Sequence, residues 1–206
     1  MIKILGRANS VNVQKVMWCA AELDVEVARA DVGGAFGGND TDAFRAMNPN
    51  GSVPVLVDGD FVLWESNAIV RYLCDQYGSG DWKLGTPPQN GLAGQWMDWY
   101  LTSMHPPMTT LFWQLIRTDP DMRDAAKIET AIAQGTKLWA MLDQHLATRD
   151  FIMGDYLSMA DIPLGSSAYR WHSMDFARPD LPNLKAWWDR LVERRAYREN
   201  VMIPIT

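Results

Sequence analysis

Apolar and polar residues recur with two different periods along this chain, and the change of period falls near residue 80. Ile2–Leu5 is a short β-rich opening. Over residues 10–23 the period becomes helical, with Val13, Val16, Met17, Ala20 and Leu23 on one stripe. Val25 and Val27 alternate with charged residues, as on a strand. Residues 53–57 and Phe61–Trp64 are two further runs of strand-forming residues. Asp58-Gly59 between them predicts a hairpin, because a tight primed turn needs positive φ at its centre. Ser66 then stands where a helix N-cap belongs. Ile69, Tyr72, Leu73 and Tyr77 follow at helical spacing, and Gly78 is placed as a C′ stop. The predicted order is β-α-β, a connecting segment, then β-β-α.

Residues 78–88 are rich in Gly, Pro and polar side chains and read as a linker. The pattern beyond is helical. One long stretch is predicted over 89–118, interrupted at Pro106-Pro107, where a missing N–H and a ring clash force a kink or break. Further helices are predicted over Ala125–Leu146, 158–173 and 184–194. Local sheet pairing followed by an all-helical half predicts two domains, 1–80 α/β and 81–206 all-α.

Composition removes several classes of function. With 48% hydrophobic and 21% charged residues, the 206-residue chain is globular rather than disordered. It has no apolar run approaching the roughly 20 residues of a membrane span, and its start lacks the pattern of a secretory signal. A net charge of −6 argues against nucleic acid as a partner, since that needs a basic surface. Cys19 and Cys74, the two cysteines, make no disulfide framework and fit a reducing, cytoplasmic setting. No metal is expected, because His105, His145 and His172 lack a second ligand at usual spacing.

Gly33-Gly34-Ala35-Phe36-Gly37-Gly38 lacks a phosphate-binding spacing and follows the second strand rather than the first, so it reads as a loop. Three features carry more information, each with a plainer structural reading beside it. Asn9-Ser10-Val11-Asn12 sits at a strand-to-helix junction, where free N–H groups and the positive dipole end collect; simple capping by Ser10 or Asn12 is the plainer reading. Val53-Pro54 opens a strand, a position that tolerates proline. Glu65-Ser66-Asn67 joins the last strand to its helix, and an acid there also favours the helix start.

Together, Asn48-Pro49-Asn50-Gly51-Ser52-Val53-Pro54-Val55-Leu56, Glu65-Ser66-Asn67-Ala68-Ile69 and Tyr72-Leu73 resemble the cytosolic glutathione transferases. In the second half, Phe151-Ile152-Met153-Gly154 and Ser158-Met159-Ala160-Asp161-Ile162 resemble that family's capping-box helix. Here Ser158 is expected to accept from the Asp161 N–H and the Asp161 carboxylate from the Ser158 N–H, with Leu157 and Ile162 as a hydrophobic staple.

The resemblance covers essentially the whole chain. It implies a thioredoxin-like first domain, an all-helical second domain, a homodimer, and a cleft active site in a detoxifying enzyme. It also implies glutathione as co-substrate. The first junction has neither tyrosine nor cysteine, so the resemblance is to the theta-like, serine-type members, with Ser10 and Asn12 assisting the thiol. Val53, before a cis Pro54, would pair its backbone with the cysteinyl unit. Glu65 would take the γ-glutamyl ammonium and Ser66 that unit's carboxylate. Many relatives carry Lys or Arg where this chain has Ser52, so Asn39 and Asn50 are assigned to the glycyl carboxylate. Met108, Phe112, Trp113, Arg117 and Trp171 are assigned to a hydrophobic electrophile. Alternatives are glutathione-dependent peroxidase or isomerase activity on the same site, or a non-catalytic binding or regulatory protein of this fold.

Overall fold

The computed structural model describes residues 1–206. The chain divides into two compact units, Met1–Leu84 with Ala196–Ile203, and Gly85–Arg195 with Pro204–Thr206. The boundary lies a few residues beyond the expected 80/81 division, because the 3-10 turn Gly80–Trp82 and the buried Leu84 stay with the first unit. Near its end the chain returns to that unit, where Tyr197 packs edge-on against Trp18 with ring centroids 4.8 Å apart.

The first unit is built on a four-stranded sheet of order β2-β1-β3-β4. Strand β1 (Ile2–Leu5) leads into α1 (Val11–Glu22) and pairs in parallel with β2 (Val27–Ala30). On its other side β1 runs antiparallel to β3 (Val55–Asp58), with Ile4 opposite Leu56. β3 turns through Gly59, at φ 60°, into antiparallel β4 (Phe61–Trp64), as the Asp58-Gly59 signal predicts. The next helix, α3 (Ser66–Tyr77), packs against α1. Val13, Val16, Ile69 and Leu73 are fully buried. This packing holds the start of each helix in place, and those starts carry the candidate chemistry.

Two local expectations change. The connecting segment contains α2 (Asp42–Met47), whose six residues are too few to reveal a period; the Thr41 hydroxyl caps it by accepting from the Phe44 N–H. Gly78 ends α3 without adopting positive φ. Its φ is −69°, and a Cβ there would stand 2.3 Å from the Cys74 carbonyl oxygen, so close backbone approach selects the glycine.

In the second unit the stretch predicted over 89–118 is divided. α4 (Pro87–Trp99) passes into a π-helical turn, Tyr100–Met104, then α5 (His105–Phe112) and a second π turn, Trp113–Arg117. Pro106 and Pro107 occupy the first turn of α5, so the wide turn upstream accommodates the backbone bonds the prolines cannot make. α6 (Ala125–Leu146) has Asp124 as its cap and buries Ala131, Gly135, Trp139, Leu142 and Leu146. α7 (Asp161–Ser173) is buried along most of its length and α8 (Pro182–Glu193) follows; the short α9 (Arg195–Asn200) belongs almost wholly to the first unit.

The predicted capping box forms with altered roles. The Asp161 carboxylate accepts from the Ser158 N–H at 3.0 Å, as expected. The Ser158 hydroxyl, however, donates to that carboxylate at 3.1 Å, while the Asp161 N–H bonds the Ser158 carbonyl. Asp161 also accepts from the Ile152 N–H at 3.0 Å and the Trp187 indole N–H at 2.9 Å, tying a loop and α8 to the start of α7. Burial raises its carboxyl to about 6, against the pull of those four donors.

Candidate active site

Ser10 is the N-cap of α1, with extended backbone at φ −82° and ψ 122°, but its hydroxyl makes no cap bond. Simple capping therefore does not account for this side chain. Its carbonyl accepts the Gln14 N–H at 2.9 Å, leaving the N–H groups of the preceding turn outside the α-helical ladder. A largely buried hydroxyl, 8% exposed, thus stands at the positive end of a 12-residue helix with no capping duty.

Asn12 does not cap α1 either. Its Oδ1 accepts from the Lys15 ammonium at 2.9 Å and from the Ser66 hydroxyl at 3.4 Å. Lys15 Nζ lies 3.4 Å from Ser66 Oγ as well. The starts of α1 and α3 are therefore joined through Asn12, Lys15 and Ser66. Lys15 is fully buried, and sequence reading passed over it because lysine on a helix ordinarily faces solvent. The available signal was its spacing, four residues after Val11 and three before Trp18, on a stripe that is otherwise apolar.

Glu65 precedes α3 at φ 71°, ψ 110°, an uncommon conformation for a residue with a Cβ. Its side chain is exposed and makes no cap bond, so the strained backbone aims a carboxylate outward beside the buried Ser66. The Val53–Pro54 peptide is cis, and Pro54 is buried at the head of β3.

The loop before Val53 holds itself together. Asn39 Nδ2 donates to the Gly51 carbonyl at 2.8 Å. Asn48, 2% exposed, donates to the Ser52 carbonyl at 2.7 Å, and its Oδ1 accepts from the Asn50 N–H and amide at 3.0 and 3.2 Å. Asn48 was not singled out from sequence, although an asparagine before a Pro-Asn-Gly turn is a loop-fixing signal. Asn39 and Asn50 thus shape the loop with their amide nitrogens.

A family model for the Glutathione S-transferase, N-terminal domain matches residues 2–75, and one for the Glutathione S-transferase, C-terminal domain matches residues 104–195. The chain is 38% identical over 208 residues to Glutathione S-transferase GstB of Escherichia coli (strain K12), covering all of both chains. It belongs to the glutathione S-transferase family. Glutathione S-transferase 3 of Zea mays is 31% identical over 97% of this chain and 93% of its own. A crystal structure of a theta class glutathione S-transferase from the citrus canker pathogen Xanthomonas axonopodis pv. citri, with glutathione bound, is 48% identical. It superposes with a TM-score of 0.96 over 100% of this chain and 99% of that one.

In this glutathione S-transferase the residues assigned to an electrophile are distributed unevenly within the helical unit. Met108 and Phe112 are buried, and Trp171, 1% exposed, packs against Trp139 and Phe176. Trp113 is 58% exposed and Arg117 is exposed, with its guanidinium 5.4 Å from the Phe112 ring centre. The Arg170 guanidinium lies 4.0 Å from that same ring centre, so two cations lie against Phe112.

Cys19 is buried in α1 with its sulfur 3.8 Å from that of Cys74. The hydrogen bond with Cys74 and burial push its thiol well above the usual range. No group of three or more His, Cys, Asp and Glu side chains is arranged to hold a metal ion. No helix is long and apolar enough to cross a membrane.

Proposed function

We propose that this enzyme is a serine-type glutathione transferase, binding glutathione on its first unit and ionising the thiol against Ser10. The observation that carries the reading is the uncommitted Ser10 hydroxyl at the start of α1. A hydroxyl there donates to a thiolate, and the helix dipole adds to the same preference.

The outward carboxylate of Glu65 takes the γ-glutamyl ammonium, and Ser66 at the start of α3 takes that unit's carboxylate. The Val53 backbone pairs with the cysteinyl unit, as a strand added at an edge. Asn39 and Asn50 are assigned to the glycyl end, in place of a cation that Ser52 does not provide. The hydrophobic electrophile is assigned to Phe112, Trp113 and Arg117, with Met108 and Trp171 behind them as packing. The thiolate attacks an electrophilic carbon, its sulfur forming the new bond as the leaving group departs with its electron pair. We assign the enzyme to the cytoplasm, as a homodimer, on its family membership and free buried cysteines.

Calorimetric titration with glutathione tests the reading. Saturable binding, with turnover of a halo-aromatic substrate, supports it. Absence of heat at millimolar glutathione contradicts it, and hydroperoxide turnover without conjugation would favour the peroxidase alternative.

A further inference from the structure

An ammonium carries three donors and no acceptor, so whatever atom it touches must accept. Lys15 therefore fixes which end of the Asn12 amide faces it: Oδ1 at 2.9 Å, with the Ser66 hydroxyl on the same oxygen at 3.4 Å. The amide nitrogen is then the end left over, two N–H donors on a residue two positions after the uncommitted Ser10, in the first turn of α1. Asn12 is half-buried whereas Lys15 is fully buried, so the cation stands behind the amide rather than beside it in solvent.

Burying an ammonium is costly unless it is well bonded, and an apolar side chain would fill the same helical stripe between Val11 and Trp18 without that cost. A lysine at this position needs a return, and its geometry identifies one. It polarises the amide it grips, and it places a positive charge where screening by water is weak.

We propose that Lys15 is a positioning residue for thiol activation: it clamps the Asn12 amide oxygen so that the amide N–H groups are presented to the sulfur, and its charge favours the thiolate through that amide. This rests on the proposed glutathione site at Ser10. It also gives Ser10 and Asn12 different characters, since the hydroxyl can rotate freely while the amide is held in one orientation.

The test is ultraviolet titration of enzyme-bound glutathione thiolate, with the pH profile of turnover alongside. Lys15→Met keeps the length and apolar stem of the side chain and removes the charge. It should raise the bound thiol pKa by about one unit and lower turnover at pH 7 about three-fold, the fall in thiolate fraction as the pKa moves from about 6.5 to about 7.5. Turnover should recover at alkaline pH, where the thiol ionises unaided; a purely structural lysine would leave that profile unmoved. In an Asn12→Ala background the same change should have a much smaller effect, because its route is gone. An unshifted thiol in Lys15→Met, or an equal shift with and without Asn12, overturns the proposal.

Should Lys15→Met not fold, Asn12→Asp supplies the test. It keeps an acceptor for Lys15 but removes the N–H donors, so the thiol pKa should rise. A wild-type pKa in that variant overturns the clamp. Wild-type enzyme showing no bound thiolate at all would overturn the glutathione site itself, and this inference with it. A wild-type thiolate band that Lys15→Met leaves in place overturns this inference alone.

Discussion

The Asp161 carboxylate accepts a 2.9 Å hydrogen bond from the Trp187 indole, both groups fully buried, and so fastens α8 to the start of α7. Asp161→Ala would leave the Trp187, Ile152 and Ser158 N–H groups without their acceptor in the interior. At ~1–3 kcal/mol for each unmet buried donor, partly relieved by relaxation, the expected loss is about 3–5 kcal/mol. Denaturant midpoints measure it, and glutathione affinity of the remaining folded protein should stay near normal. Because the folded carboxyl titrates at about 6 rather than 3.8, the folded state holds this proton more tightly than the unfolded chain. Its contribution to stability is therefore fully present below about pH 4 and declines as pH rises to about 6. Asp161→Asn should remove that decline.

His172 acts in the opposite direction across an overlapping window. Its ring stacks on Trp188 with centroids 4.0 Å apart, and its Nε2 is buried without a hydrogen-bond partner. Burial, with the nearby Arg178, lowers its pKa from 6.5 to about 4. Between those values the unfolded chain takes up a proton that the folded state refuses, so stability is lost as pH falls from 6.5 to about 4. His172→Phe keeps a stacked ring and removes the titration. Urea midpoints should show the variant losing less stability on acidification than the wild type.

Glu65→Ala should weaken glutathione binding by ~1.5–3 kcal/mol, the value of a hydrogen bond to a charged group, with little change in stability. Glu65→Gly provides a control that separates strain from binding. Relief of the φ 71° conformation should stabilise the fold by about 1 kcal/mol while affinity still falls. Wild-type affinity in both variants would remove Glu65 from the γ-glutamyl site.

Cys19→Ala should leave turnover largely intact. The sulfur is buried beside Cys74 and its thiol is held far from ionisation, so it is packing rather than a nucleophile. Loss of activity in a folded Cys19→Ala variant, read from steady-state kinetics, would point to thiol chemistry on the enzyme.

The individual strands, the hairpin and the longer helices were legible because each follows from a pattern local in sequence, whereas the pairing of β1 with β3 about fifty residues on does not. Asp58-Gly59 demands its turn, and the Val13, Val16, Ala20 stripe demands a helix. Features decided by how particular atoms pack, near or far in sequence, were not legible. The π turn at Tyr100–Met104 depends on how α5 accommodates two prolines in its first turn. Gly78 reads as a C′ stop, whereas its constraint is the Cys74 carbonyl. Asp161 was read as half of a local box, yet Ile152 and Trp187 make it a hub. At the candidate site, junction position marks residues 9–12 and 65–67, and the family resemblance selects Ser10, Glu65 and Ser66 among them. Neither marks Lys15, because its burial depends on α1 packing against α3 and its role on an amide in the preceding turn.

The role of Ser10 is open to the most direct measurement. A free thiol has a pKa of ~8.5, and lowering it by about two units takes roughly 2.7 kcal/mol of preference for the thiolate. A hydroxyl donating to the charged sulfur supplies ~1.5–3 kcal/mol and the α1 dipole ~0.3–1 kcal/mol, so the hydroxyl is the larger share. Ultraviolet titration of the enzyme-bound thiolate should place its pKa near 6.5 in the wild type, by the same arithmetic. Ser10→Ala should raise it by at least about one unit, with turnover at pH 7 falling about three-fold or more and glutathione affinity changing less. A titration unmoved by Ser10→Ala but shifted by Asn12→Ala would contradict the assignment and give the activating role to Asn12.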